Sequence, residues 1–571
     1  MALSAMDVYL HLLVEKATEA SDYIKSVEYS FNSYFALKGF QPHQIFLSTI
    51  AFTLFVVWLY RFFFMHELSL WERFKLVSFR TIRRLPYFGP QIQREVDKAL
   101  EKMAGSLFKL PPGMKYVNGL PQNGMSEDQV MRAIKGYQQL GHVDWKKGNV
   151  SGTVYSGQPE LTQLCTKVYG EFAWSNPLHP DVFPGVRKME AEVVAMTLKM
   201  FNGGPNACGT MTSGGTESIL MACLAYRNMA KERGVTLPEI VAPFSVHAAF
   251  DKAAHYFGMR IIHVRMDPKT WKVNVKAMRR SITSSTCMLV GSAPQFPHGI
   301  IDPIADIAEL GQRYGIPVHV DVCLGGFLLP FMKKAGFNLA PYDFSLDGVT
   351  SISCDTHKYG FAPKGSSVIL YSDKKYRHAQ YFVQPNWPGG VYATSTMAGS
   401  RAGAIVAACW ATMMNIGEDG YVESTRKIIK AARYIAKELR KIDGIFVFGQ
   451  PEVSVVAFGS EVFDVYRVSN ALTAKGWNLN SLQFPSSIHL CCTLCHTMPG
   501  VTDRFLNDVK NAVADALANP MAKATGQGAI YGMAQSVPDR KIIADIAWGY
   551  LDCVFDTKRS DQDGPVNGMH H

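Results

Sequence analysis

The sequence predicts an α/β protein: a large, mostly parallel sheet with helices on both faces, a smaller α+β domain after it, and one membrane-spanning helix before it. Three observations carry that expectation. Between about 187 and 372, short apolar runs alternate with amphipathic helical stretches, the pattern of strands joined by crossover helices. After about 400, two helical stretches precede a strand–helix–strand–helix segment. Residues 45–65, IFLSTIAFTLFVVWLYRFFFM, carry a single charge, Arg61, near one end. As a helix this run reaches about 31 Å, one hydrocarbon thickness.

Taken in order, residues 1–44 precede the span and 45–65 form it. Six Lys or Arg lie between Arg61 and Arg84, whereas 21–44 hold only Lys25 and Lys38. The basic side stays cytoplasmic, so the amino terminus is expected to be lumenal and the body cytosolic. Residues 66–124 read as a basic helical connector and arm, ending near Pro111-Pro112. The large domain is expected over 125–400. It holds a helix at 187–201, strands at 239–243, 260–264 and 287–294, and a helix beginning at Ile304. Further strands follow at 316–322, 348–353 and 366–372. Helices at 401–417 and 423–442 open the small domain, 401–555, and 556–571 is a polar tail.

Composition narrows the function. Hydrophobic residues are 47% and charged residues 19% of the 571, ordinary for a globular chain. The net charge is +10, with its densest basic cluster at Arg73, Lys75, Arg80, Arg83 and Arg84. No nucleic-acid-reading module accompanies it, so no nucleic-acid partner is expected. The eleven cysteines have no paired spacing and read as reduced thiols of a cytosol-facing protein. CCTLCH, with Cys491, Cys492, Cys495 and His496, suggests zinc only superficially. Its strand alternation sends neighbouring side chains to opposite faces and no second ligand pair exists, so no metal site is expected.

The chemistry concentrates at the carboxyl ends of the strands, where open α/β sheets bind ligands. Ser213-Gly214-Gly215-Thr216-Glu217-Ser218 opens a helix, and such a glycine-rich start brings backbone N–H groups to an anion. Asp321 ends the run IPVHVDV, where a buried carboxylate needs a cationic partner or a salt bridge. His247, just past another strand, would either stack on a flat ring or cap the helix that follows. Lys358 follows His357 at the end of GVTSISCDTHK. Burial is expected to lower the pKa of its amine and make it nucleophilic. An anion loop, a stacking histidine, an aspartate and a lysine, in that order, are what pyridoxal 5′-phosphate (PLP) needs of a protein. In that reading the loop holds the phosphate and the ring lies on His247. Asp321 keeps the ring nitrogen protonated, Lys358 carries the cofactor, and His357 contacts it.

With those residues in hand, the chain resembles the fold-type-I, PLP-dependent transferase-like enzymes of the group II decarboxylase branch, and within them the sphingosine-1-phosphate lyases. The resemblance runs through SGTVYSG at 151–157, FAWSNPLHPDVFPG at 172–185, TSGGTES at 212–218 and PQFPHGIIDP at 294–303. It continues through DTHKYGFAPKGSS at 355–367, GGVYATSTMAGSRAG at 389–403 and GAIYGMAQ at 528–535. It implies a homodimer with shared active sites in the endoplasmic reticulum membrane. It also implies cleavage of the C2–C3 bond of phosphorylated sphingoid bases to a long-chain aldehyde and phosphoethanolamine. By carry-over, Gly214, Thr216 and Ser400 would hold the cofactor phosphate, Ser400 from the partner chain, with Gly215 in the same loop. Tyr155, Asn176, His179 and Lys364 match positions on the substrate-phosphate side, and Tyr392 is a candidate catalytic hydroxyl. Val322 and Cys354 stand where smaller residues are expected, and neither removes a required group.

The proton on the C3 hydroxyl needs a base, and Tyr155, Tyr392, Lys358 or the substrate phosphate would each serve. Two other readings stay open on the sequence. A decarboxylase on the same scaffold would break the carboxylate bond instead. A catalytically dead membrane scaffold would keep the fold without the chemistry.

Overall fold

The computed structural model describes residues 41–64, 70–107, 110–111, 113–525 and 540–557, with short pieces between 22 and 39. Two compact units divide the chain: Met1–Lys109 with Val537–His571, and Leu110–Ser536. The motif at 528–535 and the tail beyond 557 lie outside the described residues.

The larger unit is built on a seven-stranded sheet of β1 (Cys208–Thr212), β2 (Glu239–Pro243), β3 (Arg260–Val264), β4 (Thr286–Ser292), β5 (Val318–Asp321), β6 (Val349–Cys354) and β7 (Ser367–Tyr371). The spatial order is β1-β7-β6-β5-β4-β2-β3. Only β7 runs against its neighbours, β1 and β6; all other pairs are parallel. Six of these strands were expected from the apolar runs. β1 was not, because its residues CGTMT sit in a glycine-rich stretch that reads as a loop.

Alternation along the strands builds two cores, one on each face. Ile240, Ala242, Met288, Val290, Ile369 and Tyr371 pack with the helices Gly215–Glu232 and Ala249–Phe257. Val241, Leu289, Val318, Val320, Ile352 and Leu370 join the opposite core, with the helices Pro184–Met200, Ile304–Tyr314 and Gly403–Leu439. The last of these covers both helices expected at 401–417 and 423–442. They meet at Gly417, whose φ of 62° and ψ of 179° glycine alone adopts readily.

Beyond the main sheet, β8 (Phe382–Trp387) and β9 (Gly390–Thr394) form a separate hairpin. A four-stranded antiparallel sheet joins β10 (Phe446–Val447), β11 (Val455–Gly459), β12 (Asn480–Leu482) and β13 (Ser487–Cys491) in the order β10-β11-β13-β12.

In the smaller unit residues 45–64 of the apolar run fall in the helix Pro42–Phe64, and residue 65 lies outside the described residues. Among the described residues no helix is long and apolar enough to cross a membrane. The described side chains of this helix end at Leu59, short of the full apolar run. The expected span is therefore a helix in the right place and not a demonstrated membrane segment.

Burial also fixes how the larger unit responds to acid. His298, His319, His489 and His496 are each pushed by burial from an ordinary 6.5 down to about 4. Between those values the unfolded chain binds protons that the native protein does not, so stability falls as pH falls. Each histidine contributes about 1.4 kcal/mol per pH unit. Asp302, raised by burial to about 6, works in the opposite sense below that pH and offsets one of the four. Thermal unfolding at pH 7, 6 and 5 is expected to give a Tm that drops at each step. A Tm that holds or rises toward pH 5 contradicts this.

Candidate active site

β5 ends at Asp321 and β6 ends at Cys354, and the two strands are parallel neighbours. The chain leaving β6 therefore delivers Asp355, His357 and Lys358 beside Asp321. Asp355 is almost fully buried, and its Oδ2 lies 2.8 Å from Lys358 Nζ and 3.7 Å from His357 Nε2. This pairing corrects the expectation for the lysine. Burial does oppose its charge, but Asp355, with Cys323 and Tyr155 nearby, outweighs that and holds the Lys358 pKa above its ordinary value. Lys358 is thus stored as a cation. The His357 ring is the reverse case: burial lowers its pKa, Asp355 partly opposing. Its Nδ1 accepts from the Ser366 N–H at 3.2 Å.

The glycine-rich turn closes over this group. Ser213 donates its N–H and its hydroxyl to Glu217 Oε2, at 2.7 and 2.6 Å, tying the turn to the first turn of the helix Gly215–Glu232. A Cβ on Gly214 would stand 3.3 Å from His357 Cε1. One on Gly215 would stand 2.8 Å from both Asp355 Oδ2 and Cys323 Sγ. Only a bare backbone fits so close, and Thr216 beside it is exposed. Asp355 Oδ1 is buried with no hydrogen-bond partner among the described residues, so the group holds an acceptor open to a further donor.

Asp321 Oδ1 accepts from the Cys323 N–H and the Ser353 hydroxyl, both at 3.0 Å. Burial works against its charge, yet His247, the Cys323 N–H and thiol, and His319 hold its pKa below the ordinary carboxylate value. The His247 side chain is exposed one residue before the N-cap Ala248, and its Nδ1 accepts from the Ala249 N–H at 3.1 Å at the start of the helix Ala249–Phe257.

Tyr155 completes the group on another side. Its ring meets Tyr359 edge-on at 4.8 Å, and Lys364 Nζ lies 4.7 Å above its centre. Burial, reinforced by Cys491, pushes the Tyr155 phenol well up, so it is a proton donor at neutral pH. Burial and Lys358 push the Lys364 pKa down.

Four expected site residues make their contacts with other partners. Asn176 Nδ2 donates to Ser400 Oγ at 3.1 Å and Asn176 Oδ1 accepts from the Arg401 N–H at 3.2 Å. His179 is exposed, its N–H bonded to the Asn176 carbonyl at 3.1 Å. Tyr392 packs in the hairpin against Phe382 and Trp387. Among the described residues, no hydrogen bond joins these four to Lys358. The nearest link is Glu217, whose Oε1 accepts from the Met397 N–H at 3.1 Å while Oε2 holds Ser213.

Sequence reasoning passed over Asp355, Cys323, Tyr359 and Cys491 as site residues. For Asp355 a signal existed, the three-residue spacing to Lys358. The others approach only through the fold.

Residues 115–461 match the family described as "Pyridoxal-dependent decarboxylase conserved domain". Sphingosine-1-phosphate lyase 1 of Mus musculus is 52% identical, over 100% of this chain and 98% of the mouse protein. The Drosophila melanogaster sphingosine-1-phosphate lyase is 49% identical, over 94% of this chain and 98% of its own. A solved sphingosine-1-phosphate lyase from Burkholderia pseudomallei superposes with a TM-score of 0.72 at 36% identity, covering 78% of this chain and 100% of that one. The chain belongs to the sphingosine-1-phosphate lyase branch of the pyridoxal-dependent decarboxylase family. A glutamate decarboxylase from Lactobacillus brevis, at 21% identity and a TM-score of 0.62, shares the fold.

The residues present suit the cofactor of a pyridoxal-dependent family. They offer a primary amine, an anionic carboxylate with lone pairs to spare, an exposed imidazole and a turn with no room for side chains. Gly215→Ala tests the turn. Its methyl group would press Asp355 off Lys358 at an overpacking cost of about 1–3 kcal/mol. PLP titration by absorbance is expected to show affinity reduced about tenfold or more, with the far-ultraviolet circular dichroism of the wild type. Wild-type affinity would contradict the close fit described here.

Proposed function

We propose that the chain is a PLP-dependent lyase that cleaves the C2–C3 bond of phosphorylated sphingoid bases, releasing a long-chain aldehyde and phosphoethanolamine. The observation that carries the reading is the juxtaposition of Asp355-paired Lys358 with Tyr155 and Lys364, in a chain 52% identical to a named sphingosine-1-phosphate lyase. Lys358 would hold the cofactor aldehyde, Gly214, Gly215 and Thr216 its phosphate, His247 its ring face and Asp321 its ring nitrogen. Bound there, PLP supplies an electron sink for a bond broken beside the substrate amine.

The chain's own groups account for the rest. Lys364 supplies a cation for the substrate phosphate, with the Tyr155 hydroxyl as a further donor; His179 and Asn176 would add donors to the site of a second copy. Of the candidate bases for the C3 hydroxyl, Tyr155 is the least suited in the structure as it stands, since burial keeps its phenol protonated. It fits a donor at the substrate phosphate better. Tyr392, the Lys358 amine once it gives up its proton, and the substrate phosphate remain for the base.

Two wider features belong to the same reading. The hairpin exposes Phe382, Val383, Trp387 and Val391, an apolar surface suited to a second copy. A homodimer would also give Asn176, His179, Tyr392 and Ser400 a site to serve, that of the partner. The helix Pro42–Phe64 exposes Phe46, Leu47, Phe52, Leu54, Phe55 and Trp58 with no polar face, which supports a membrane anchor. Basic residues on its carboxyl side favour a lumenal amino terminus, and the resemblance favours the endoplasmic reticulum.

The test is product analysis of the purified protein with PLP and a phosphorylated sphingoid base. Aldehyde and phosphoethanolamine are expected, and carbon dioxide from an amino acid would transfer the chain to the decarboxylases. Lys364→Ala is expected to raise KM about tenfold with a smaller change in kcat, since it removes a charge-assisted contact to the phosphate. An unchanged KM removes Lys364 from the substrate site. Deleting residues 1–65 is expected to leave a dimer by light scattering, active on detergent-dispersed substrate. An inactive or monomeric product contradicts an anchor-only role for that segment.

A further inference from the structure

A row of buried polar side chains lies beneath Asp321. β5 and β6 pair with His319 opposite Ser351 and Asp321 opposite Ser353. Side chains two apart on a strand share a face, so the four form one patch, while Val318, Val320 and Ile352 turn to the other core. His319, Ser351 and Ser353 are fully buried, as is Tyr226 of the helix Gly215–Glu232 packed over them.

The hydrogens in this row can be placed one after another. The Tyr226 phenol donates to Ser351 Oγ at 2.7 Å, and its oxygen lies at the same distance from the Thr350 hydroxyl, which reaches the Val318 carbonyl at 2.9 Å. Ser351, having accepted there, has its own proton for His319 Nδ1 at 2.8 Å. His319 therefore carries its proton on Nε2 and donates it to Ser353 Oγ at 3.1 Å. Ser353 donates to Asp321 Oδ1 at 3.0 Å. With the phenol proton on Ser351, each of the four bonds from Tyr226 to Asp321 points toward the carboxylate. Burial keeps the His319 ring neutral at ordinary pH, so the row brings aligned dipoles and no net charge. Mutual satisfaction of buried polar groups would explain the contacts alone. It explains neither their common direction nor their ending on the one anion of the row, where an apolar patch would have been the simpler filling for a sheet interior.

We propose that Tyr226, Ser351, His319 and Ser353 form a directed relay that keeps Asp321 ionised and thereby sets the protonation of the cofactor's ring nitrogen. These are positioning residues, and the inference rests on the PLP reading. Burial alone drives a carboxylate toward its neutral form, and donors aimed at it favour the anion. A neutral Asp321 would no longer hold a proton on the ring.

The test uses the full-length holoenzyme loaded with PLP carrying nitrogen-15 in the ring, read by NMR as a function of pH. The wild type is expected to show a protonated ring nitrogen through neutral pH, and Asp321→Asn a deprotonated one. His319→Phe and Ser353→Ala each break the row. Each is expected to lower the pH at which the ring loses its proton by about one unit or more, the worth of a hydrogen bond to a charged group. His319→Gln, which keeps a donor and an acceptor, is expected to restore most of the shift. Ser353→Ala is the smaller change and serves where the phenylalanine variant fails to fold. Wild-type titration in both Ser353→Ala and His319→Phe overturns the relay, as does a glutamine variant no better than phenylalanine. A wild type that takes up no PLP overturns the cofactor reading as well.

Discussion

Asp321 and Asp355 bury two carboxylates at the ends of neighbouring parallel strands, and the surrounding residues are arranged by how each charge is answered. An unanswered buried carboxylate costs several kcal/mol. Asp355 is answered by Lys358, three residues along the same turn, which places the amine and raises its proton affinity together. Asp321 is answered by His247, a backbone amide, a serine and the histidine behind that serine, with no lysine or arginine among them. That difference gives the two carboxylates different work: one stores a lysine, the other stays charged and open to a further donor. The bare backbone of Gly215 follows from the same packing, since Asp355 and Cys323 occupy the space a side chain would need.

Much of this was legible in the sequence. The strands 239–243 and 260–264 recur with the same bounds, because continuous apolar runs between helices have few alternatives in a doubly covered sheet. The order of glycine turn, His247, Asp321 and Lys358 points to PLP from the sequence alone, and the family match supports that cofactor. The direction of the lysine's pKa was misjudged because burial was weighed without its partner, although Asp355 stood three residues away. The row under Asp321 was also written in the chain, as polar residues alternating with apolar ones in HVD and SIS. Only the register of β5 against β6 turns two such patterns into one patch. β1 was missed because glycine and threonine read as loop until an antiparallel partner, β7, pairs with them.

Asn176, His179, Tyr392 and Ser400 were named by resemblance, and in one chain they gather away from Lys358. Periodicity and spacing say nothing of how such residues meet, which is why only the resemblance named them. Glu217 gives the two groups a mechanical connection, one oxygen on the glycine turn and the other on the segment that leads to Ser400.

The most direct measurement is borohydride reduction of the PLP-loaded protein followed by peptide mass spectrometry. Reduction fixes the cofactor to whichever amine holds it. The account predicts a pyridoxyl mass on the peptide containing Lys358 and on no other lysine. A modified lysine elsewhere, Lys364 included, or no modification under saturating PLP, would contradict it.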